Sequence, residues 1–350
     1  MKTKDHDVLY CGVSKEKIET TSPTFHEENL KHLSFWIQER YRIHYLKDVE
    51  KKPFPWTENT IFRNYRFTNV KRYHDRETLW LLKNITNDER FSLEEKIWNS
   101  ILFRSWNKSR TLEILGAPYH KEEYLQGSEY FRPRVDKALK DYPDYVWYTN
   151  AFNTGGLKQT WQYRDGKGYR DGYRKTSDAV TKPDHEKNMT LRAFFMMDWV
   201  TENSIAERVM NSESQMECFE ILQSVPGIGP FLAYQVFVDL SYIPEFKFSE
   251  NEFTVAGPGC KRGISWVVEN RNGLSHEEVI FWMRDHQKEL FSIDFDSLMK
   301  DLPKEDRRLT VMDIENSFCE ISKYLKAVYG KGRPKVKYVI QNRNKNSELF

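Results

Sequence analysis

Val225-Pro226-Gly227-Ile228-Gly229-Pro230, continuing into Phe231-Leu232-Ala233-Tyr234-Gln235, reads as a Pro-Gly-x-Gly turn between two helices. Each glycine has a mechanical reason. Gly227 suits a positive φ, which strains any residue with a Cβ, and Gly229 lets the backbone come close to a phosphate. The N–H groups that open the second helix lack partners inside it and face an anion, with the helix dipole adding to the attraction. A helix-hairpin-helix of this kind, over residues 214–242, holds one DNA strand without reading its sequence. Gly227, Ile228, Gly229 and Pro230 are its expected DNA contacts. An ordinary turn between two helices is the alternative.

Outward from the hairpin the chain is patterned for helices. Leu30, Leu33, Trp36, Ile37 and Tyr41 recur at helical spacing and predict a helix over Glu27–Tyr45, ended by the prolines of Lys51–Trp56. Helices are likewise expected at Thr68–Ile85, Ser92–Phe103, Arg132–Leu139, Thr190–Asn203, Ser214–Gln223, His276–Leu290 and Thr310–Val328. A Ser-x-x-Glu capping box at Ser92 and Glu95 marks the start of one of them. Strand signals are short, at Phe253–Ala256 and Val336–Ile340. The expected fold is all-α, or mostly so: helix-hairpin-helix, DNA-glycosylase-like, with two helical lobes and a DNA-binding cleft. Residues 1–50 form a polar N-terminal segment and a helix, 51–340 the main domain, and 341–350 a basic tail. Between 141 and 187 an irregular insertion carries Tyr-Arg-Asp-Gly at Tyr163 and again at Tyr169.

Composition narrows the function. The net charge is only +2, but the basic residues cluster: six with no acid over 331–345, and five against two acids, laced with aromatics, over 161–175. Basic segments with interleaved rings suit phosphates and unstacked bases, although solvated loops have the same look. The four cysteines, Cys11, Cys218, Cys260 and Cys319, lie far apart and form no metal-binding spacing or disulfide framework. They are expected to be reduced thiols. No apolar run is long enough to span a bilayer and the N-terminus has no signal-peptide pattern, so a cytoplasmic protein is expected. No metal, no cofactor beyond a structural cation at the hairpin, and no membrane or protein partner are implied.

Candidate chemistry comes from polar residues in apolar surroundings. Asp239 stands in Val236-Phe-Val-Asp-Leu-Ser-Tyr242, with Gln235 one turn before it. It either partners something buried or faces a reacting sugar. Asn69, Arg72 and Asp75 are expected within two turns of one helix, where Asn can bond a base edge and Arg an oxyanion. Asp75 is a second candidate carboxylate, or the partner that holds Arg72. Trp106 and Asn107 suggest a pocket wall and a polar contact. Asn316, Glu320 and Lys323 share a helical face. Arg63, Arg66, Lys261, Arg262, Arg333 and Lys335 are the expected phosphate contacts. Glycosylases with this hairpin carry a catalytic aspartate about twenty residues on, where this chain has Ala256-Gly257.

Five stretches carry a resemblance to a known group: Phe62–Val70 with Arg72, Asp75, Arg76 and Thr78; Leu102–Asn107; Val225–Tyr242; Val255–Gly263; and Asp313–Tyr324. With them the chain resembles the alpha-glutamyl/putrescinyl thymine pyrophosphorylase clade of helix-hairpin-helix DNA-glycosylase-like proteins. The resemblance implies double-stranded DNA with modified bases as partner, and a target base flipped into a pocket. One implied activity is a glycosylase that excises a hypermodified pyrimidine, such as glucosylated 5-hydroxymethylcytosine or a modified thymine, from phage DNA in anti-phage defence. The alternative is a transferase that attaches an amino acid or polyamine to pyrophosphorylated 5-hydroxymethyluracil in DNA. A DNA-binding module without chemistry is the third. The glycosylase is favoured because it needs fewer parts. No GxxxxGK[ST] phosphate loop occurs, which argues against a nucleotide-dependent kinase.

Overall fold

The computed structural model describes residues 13–149, 193–332, 334 and 337, together with the strand backbone of residues 8–9, 161–163 and 173–175. Helices dominate, as expected, and the strands are short and paired two by two. The chain divides into two compact units, Arg76–Ser249 and a second made of Met1–Asp75 with Glu250–Phe350.

The Arg76–Ser249 unit is built on helix Leu93–Trp106. Ser92 and Glu95 close the predicted capping box at its start. Ile97, Ile101, Leu102, Phe103 and Trp106 leave it almost wholly buried, and full burial of such side chains contributes roughly 1.5–3 kcal/mol each. One polar residue in this core, Asn99, is fully used: its amide donates to the Tyr119 carbonyl at 2.8 Å and accepts from the Tyr119 N–H at 2.9 Å. The hairpin belongs to this unit. Helix Gln215–Ser224 leads in and helix Pro230–Leu240 leads out. Gly227 takes φ +83°, and the space around Gly229 is open for 4 Å.

The second unit packs helix Glu27–His44 and helix Pro258–Val267 against helix Val311–Val328. Leu33, Trp36, Ile37 and Tyr41 form the buried stripe that the periodicity predicted. Helix Pro258–Val267 approaches closely because two glycines face its neighbour. A Cβ on Gly263 would lie 1.9 Å from the Phe318 carbonyl oxygen, and one on Gly259 would lie 2.3 Å from Cys319 Sγ.

Three expectations need correction. The helix predicted over Thr68–Ile85 is broken: Arg72–His74 is a single 3-10 turn, Asp75 is extended, and the helix begins at Arg76. Tertiary hydrogen bonds of Asn69, Lys71 and Arg72, described below, outweigh the periodicity. His276–Leu290 is two helices, His276–Asp285 and Gln287–Phe291, parted at His286, whose ring stacks on Trp282. Phe253–Ala256 is not a strand. In the insertion, Trp161–Tyr163 and Tyr173–Lys175 pair antiparallel. The rest of 150–192, the tail beyond 337, Cys11, Arg333 and Lys335 lie outside the described residues. Cys218, Cys260 and Cys319 are free thiols.

Candidate functional site

The five resembling stretches gather into two clusters, one in each unit. In the Arg76–Ser249 unit, Leu102–Asn107 meets the helix that leaves the hairpin. Arg104 grips Asp239 through two hydrogen bonds, Nε to Oδ2 and Nη2 to Oδ1, both 2.5 Å, and neither side chain reaches solvent. Fork-to-carboxylate geometry of this kind is among the strongest polar contacts a protein makes. Asn107, in the left-handed region at φ 49°, ends helix Leu93–Trp106, accepts from Arg104 Nη1 and donates to Thr149 Oγ1 at 3.0 Å. Trp106 is core, packed on Phe194. Gln235 is buried one turn before Asp239. Here Asp239 has the structural role weighed for it, as the partner of a buried arginine.

In the other unit the remaining three stretches meet along helix Val311–Val328. One stripe of that helix, Asp313, Asn316 and Glu320, holds the segment 68–72. Lys71 Nζ reaches Asp313 Oδ2 at 2.9 Å in a buried pair, and the Arg72 N–H donates to Asp313 Oδ1 at 3.3 Å. Asn316 donates to the Asn69 carbonyl at 2.9 Å and accepts from Thr68 Oγ1 at 3.2 Å. Glu320 accepts from the Thr68 N–H at 3.4 Å. Asp75 then folds the segment back, accepting from the Asn69 N–H at 2.8 Å and from Arg72 Nη1 at 3.5 Å. The Asn69 amide donates to the His74 carbonyl at 2.7 Å, which fixes its orientation. Its Oδ1 is buried with no hydrogen-bond partner among the described residues.

Charge in this cluster is uneven. Lys323 pairs with Glu320. Burial depresses the Lys323 pKa, but Glu320 and Cys319 outweigh it and the net shift is upward. Its amine is therefore held as a cation at neutral pH. His74 stacks on His44 at 4.0 Å, and burial pushes it down to about 3. Arg63, Arg66, Lys261 and Arg262 are exposed in the same unit, and Arg63 lies 3.6 Å from Glu58. Asn69, Arg72, Asp75, Asn316, Glu320 and Lys323 are thus brought together, whereas Trp106, Asn107, Gln235 and Asp239 belong to the other unit. Among the described residues no group of three or more His, Cys, Asp or Glu side chains is placed to hold a metal ion. None of the described helices is long and apolar enough to cross a membrane.

A neighbouring stripe of the same helix carries Glu315, which sequence reasoning passed over. Its Oε1 accepts from the Gly257 N–H at 3.3 Å, at the N-cap of helix Pro258–Val267. Burial pushes its carboxyl up to about 7, against the opposing pull of the Gly257 N–H and of Arg72. The signal was present as Gly259 and Gly263, small residues four apart that mark a close helix contact opposite 315–319.

A family model described as "5-hmdU DNA kinase, helical domain" matches residues 27–333. The chain belongs to this family. The 5-hmdU DNA kinase of Bacillus phage SP10 is 25% identical over 302 residues, covering 82% of this chain and 43% of that protein. The chain therefore spans less than half the length of that curated relative. No solved structure matches it.

Membership of the 5-hmdU DNA kinase helical-domain family corrects the functional expectation. The match supports a phage thymine-modification family but not the glycosylase clade. The base-excising hydrolase is overturned: both the family and the relative are named for a transferase. The transferase alternative fits better. Excision would also ask for a carboxylate free to face a sugar, and Asp239 is sealed against Arg104.

Proposed function

We propose that this chain is a DNA-modifying transferase acting on 5-hydroxymethyl-2′-deoxyuridine in phage DNA. In this reading it joins an amine, an amino acid or a polyamine, to the pyrophosphorylated 5-hydroxymethyl group. The observation that carries the substrate is the family match over residues 27–333. These 350 residues carry no GxxxxGK[ST] loop, so the reading places in them the transfer to an already activated base. The hairpin at Gly227–Pro230 would hold the strand through backbone N–H groups, and Arg63, Arg66, Lys261 and Arg262 would neutralise phosphates. The flipped base would meet Asn69, Arg72, Asn316 and Glu320. A second reading, phosphorylation of the hydroxymethyl oxygen itself, is favoured by the name of the phage SP10 relative.

One experiment separates them. DNA carrying 5-hydroxymethyluracil, plain or pyrophosphorylated, is incubated with ATP or with an amine mixture and digested to nucleosides for mass spectrometry. An amine-substituted nucleoside from the pyrophosphorylated DNA supports the first reading. A phosphate gained on the plain base with ATP supports the second. Unchanged nucleosides in every arm reject both.

A further inference from the structure

A cavity of about 660 Å³ opens beside the turn that follows helix Pro258–Val267. Strand Val268–Asn270 leaves that helix, pairs antiparallel with Thr24–Phe25 and turns back at Arg271–Leu274. Asn272 and Gly273 take positive φ in the turn, 51° and 87°. Arg271 lines the cavity from there. Its Nη1 donates to the Leu274 carbonyl at 2.6 Å, which orients the guanidinium and leaves its other nitrogens without a partner among the described residues. Lys17 reaches the same cavity from helix Lys15–Thr20, and His276 from the first turn of helix His276–Asp285. His26 lines it as well.

The nearby acids do not answer these cations. Glu278 is buried and spends both oxygens on backbone, Oε1 on the Ser14 N–H at 3.0 Å and Oε2 on the Ser275 N–H at 2.7 Å. Glu277 accepts from the Ala256 N–H at 2.9 Å. Glu269 is exposed, and among the described residues it pairs with no cation. Lys17, Arg271 and Lys261 likewise make no ion pair among them. Neither ring nitrogen of His276 has a hydrogen-bond partner there. Burial, and after it the positive charges of Arg271 and Lys261, hold its imidazole below the usual range against the pull of Glu277. Like charges gathered around a hollow repel one another, and an anion between them relieves the repulsion. The helix that starts at His276 is already capped by Ser275 and Glu278, so the attraction comes from the side chains.

We propose that this cavity binds a phosphate group, held by Lys17, Arg271 and His276. The guanidinium offers a fork to two oxygens, the lysine a point charge and the imidazole one N–H. Two sources share that chemistry: a phosphodiester of the DNA backbone, and free phosphate or pyrophosphate. Once bound, the anion supplies the missing counter-charge, and His276 takes up a proton with it. The site stands whether or not the chain is a transferase. It gives this unit a hold on phosphate of its own, the hairpin belonging to the other unit.

The test follows the His276 ring by NMR at pH 7, its signal identified by its loss in His276→Gln. Wild type is titrated with inorganic phosphate, with pyrophosphate and with a short unmodified DNA duplex, each against sodium chloride of matched ionic strength. The signal is expected to move towards its protonated position with at least one of the three and to stay in place in chloride. Movement with the duplex alone assigns the site to the DNA backbone, and movement with the free anions alone assigns it to phosphate or pyrophosphate. Arg271→Ala should weaken the response about tenfold. No movement with any of the three, or equal movement in chloride, overturns the proposal, and so does an unchanged affinity in Arg271→Ala. Should that variant fail to fold, Lys17→Ala makes the same comparison, since among the described residues the Lys17 side chain holds nothing else. A several-fold weaker response is then expected, and an unchanged one overturns the proposal.

Discussion

Replacing Glu315 by glutamine should change stability, with a sign that depends on pH. In the unfolded chain the carboxyl titrates at its ordinary 4.5, whereas burial raises it to about 7 in the fold. Below the lower value both states are protonated and the group costs nothing. As pH rises between the two, the unfolded chain gives up its proton while the folded protein keeps it, so folding weakens. Above about 7 the penalty is complete. The shift corresponds to about 3 kcal/mol, most of it developing between pH 5 and pH 8. Glutamine has no such titration. Urea unfolding of both proteins at the two pH values should show the variant gaining about 2–3 kcal/mol on wild type between pH 5 and pH 8. A gap that stays constant to within about 0.5 kcal/mol would refute the reasoning, since it would mean that the carboxyl titrates alike in both states.

Other substitutions test the packing. Gly263→Ala drives a methyl into the Phe318 backbone, which cannot step aside, and should cost about 3 kcal/mol or prevent folding. Gly259→Ala meets only the Cys319 side chain, so the double variant Gly259→Ala with Cys319→Ala should recover most of the loss in thermal melting; no recovery would place the strain elsewhere. Asp239→Asn leaves the Arg104 guanidinium buried without its counter-charge and should cost about 3–5 kcal/mol, visible as a lowered urea midpoint. Gly227→Ala must hold φ +83° with a Cβ, at about 1–2 kcal/mol, and should weaken binding to all DNA sequences alike in a fluorescence titration.

What the sequence made legible follows from how local each signal is. The hairpin could be read because a Pro-Gly-x-Gly turn and its flanking apolar helices lie within thirty residues. The capping box at Ser92 and the stripe from Leu33 to Tyr41 are equally local. The segment 68–75 misled because its Asn, Lys and Arg are claimed by a helix some 240 residues further on. Asp239 could be read two ways because its arginine partner is 135 residues away in sequence. Glu315 was passed over because the Gly257 N–H it accepts from lies 58 residues away in sequence. The stretches that carried the family-level resemblance gather into one cluster in each unit. The reaction drawn from the resemblance was wrong, because one fold hosts more than one chemistry.

The central claim is that this chain adds to a base rather than removing one. It is tested most directly by a mass balance on pyrophosphorylated 5-hydroxymethyluracil DNA treated with protein and labelled putrescine. The account predicts that every substrate nucleoside lost reappears in the DNA as a labelled, heavier nucleoside, with pyrophosphate released and no alkali-labile sites. Free modified base in solution with matching alkali-labile sites in the strand would contradict it.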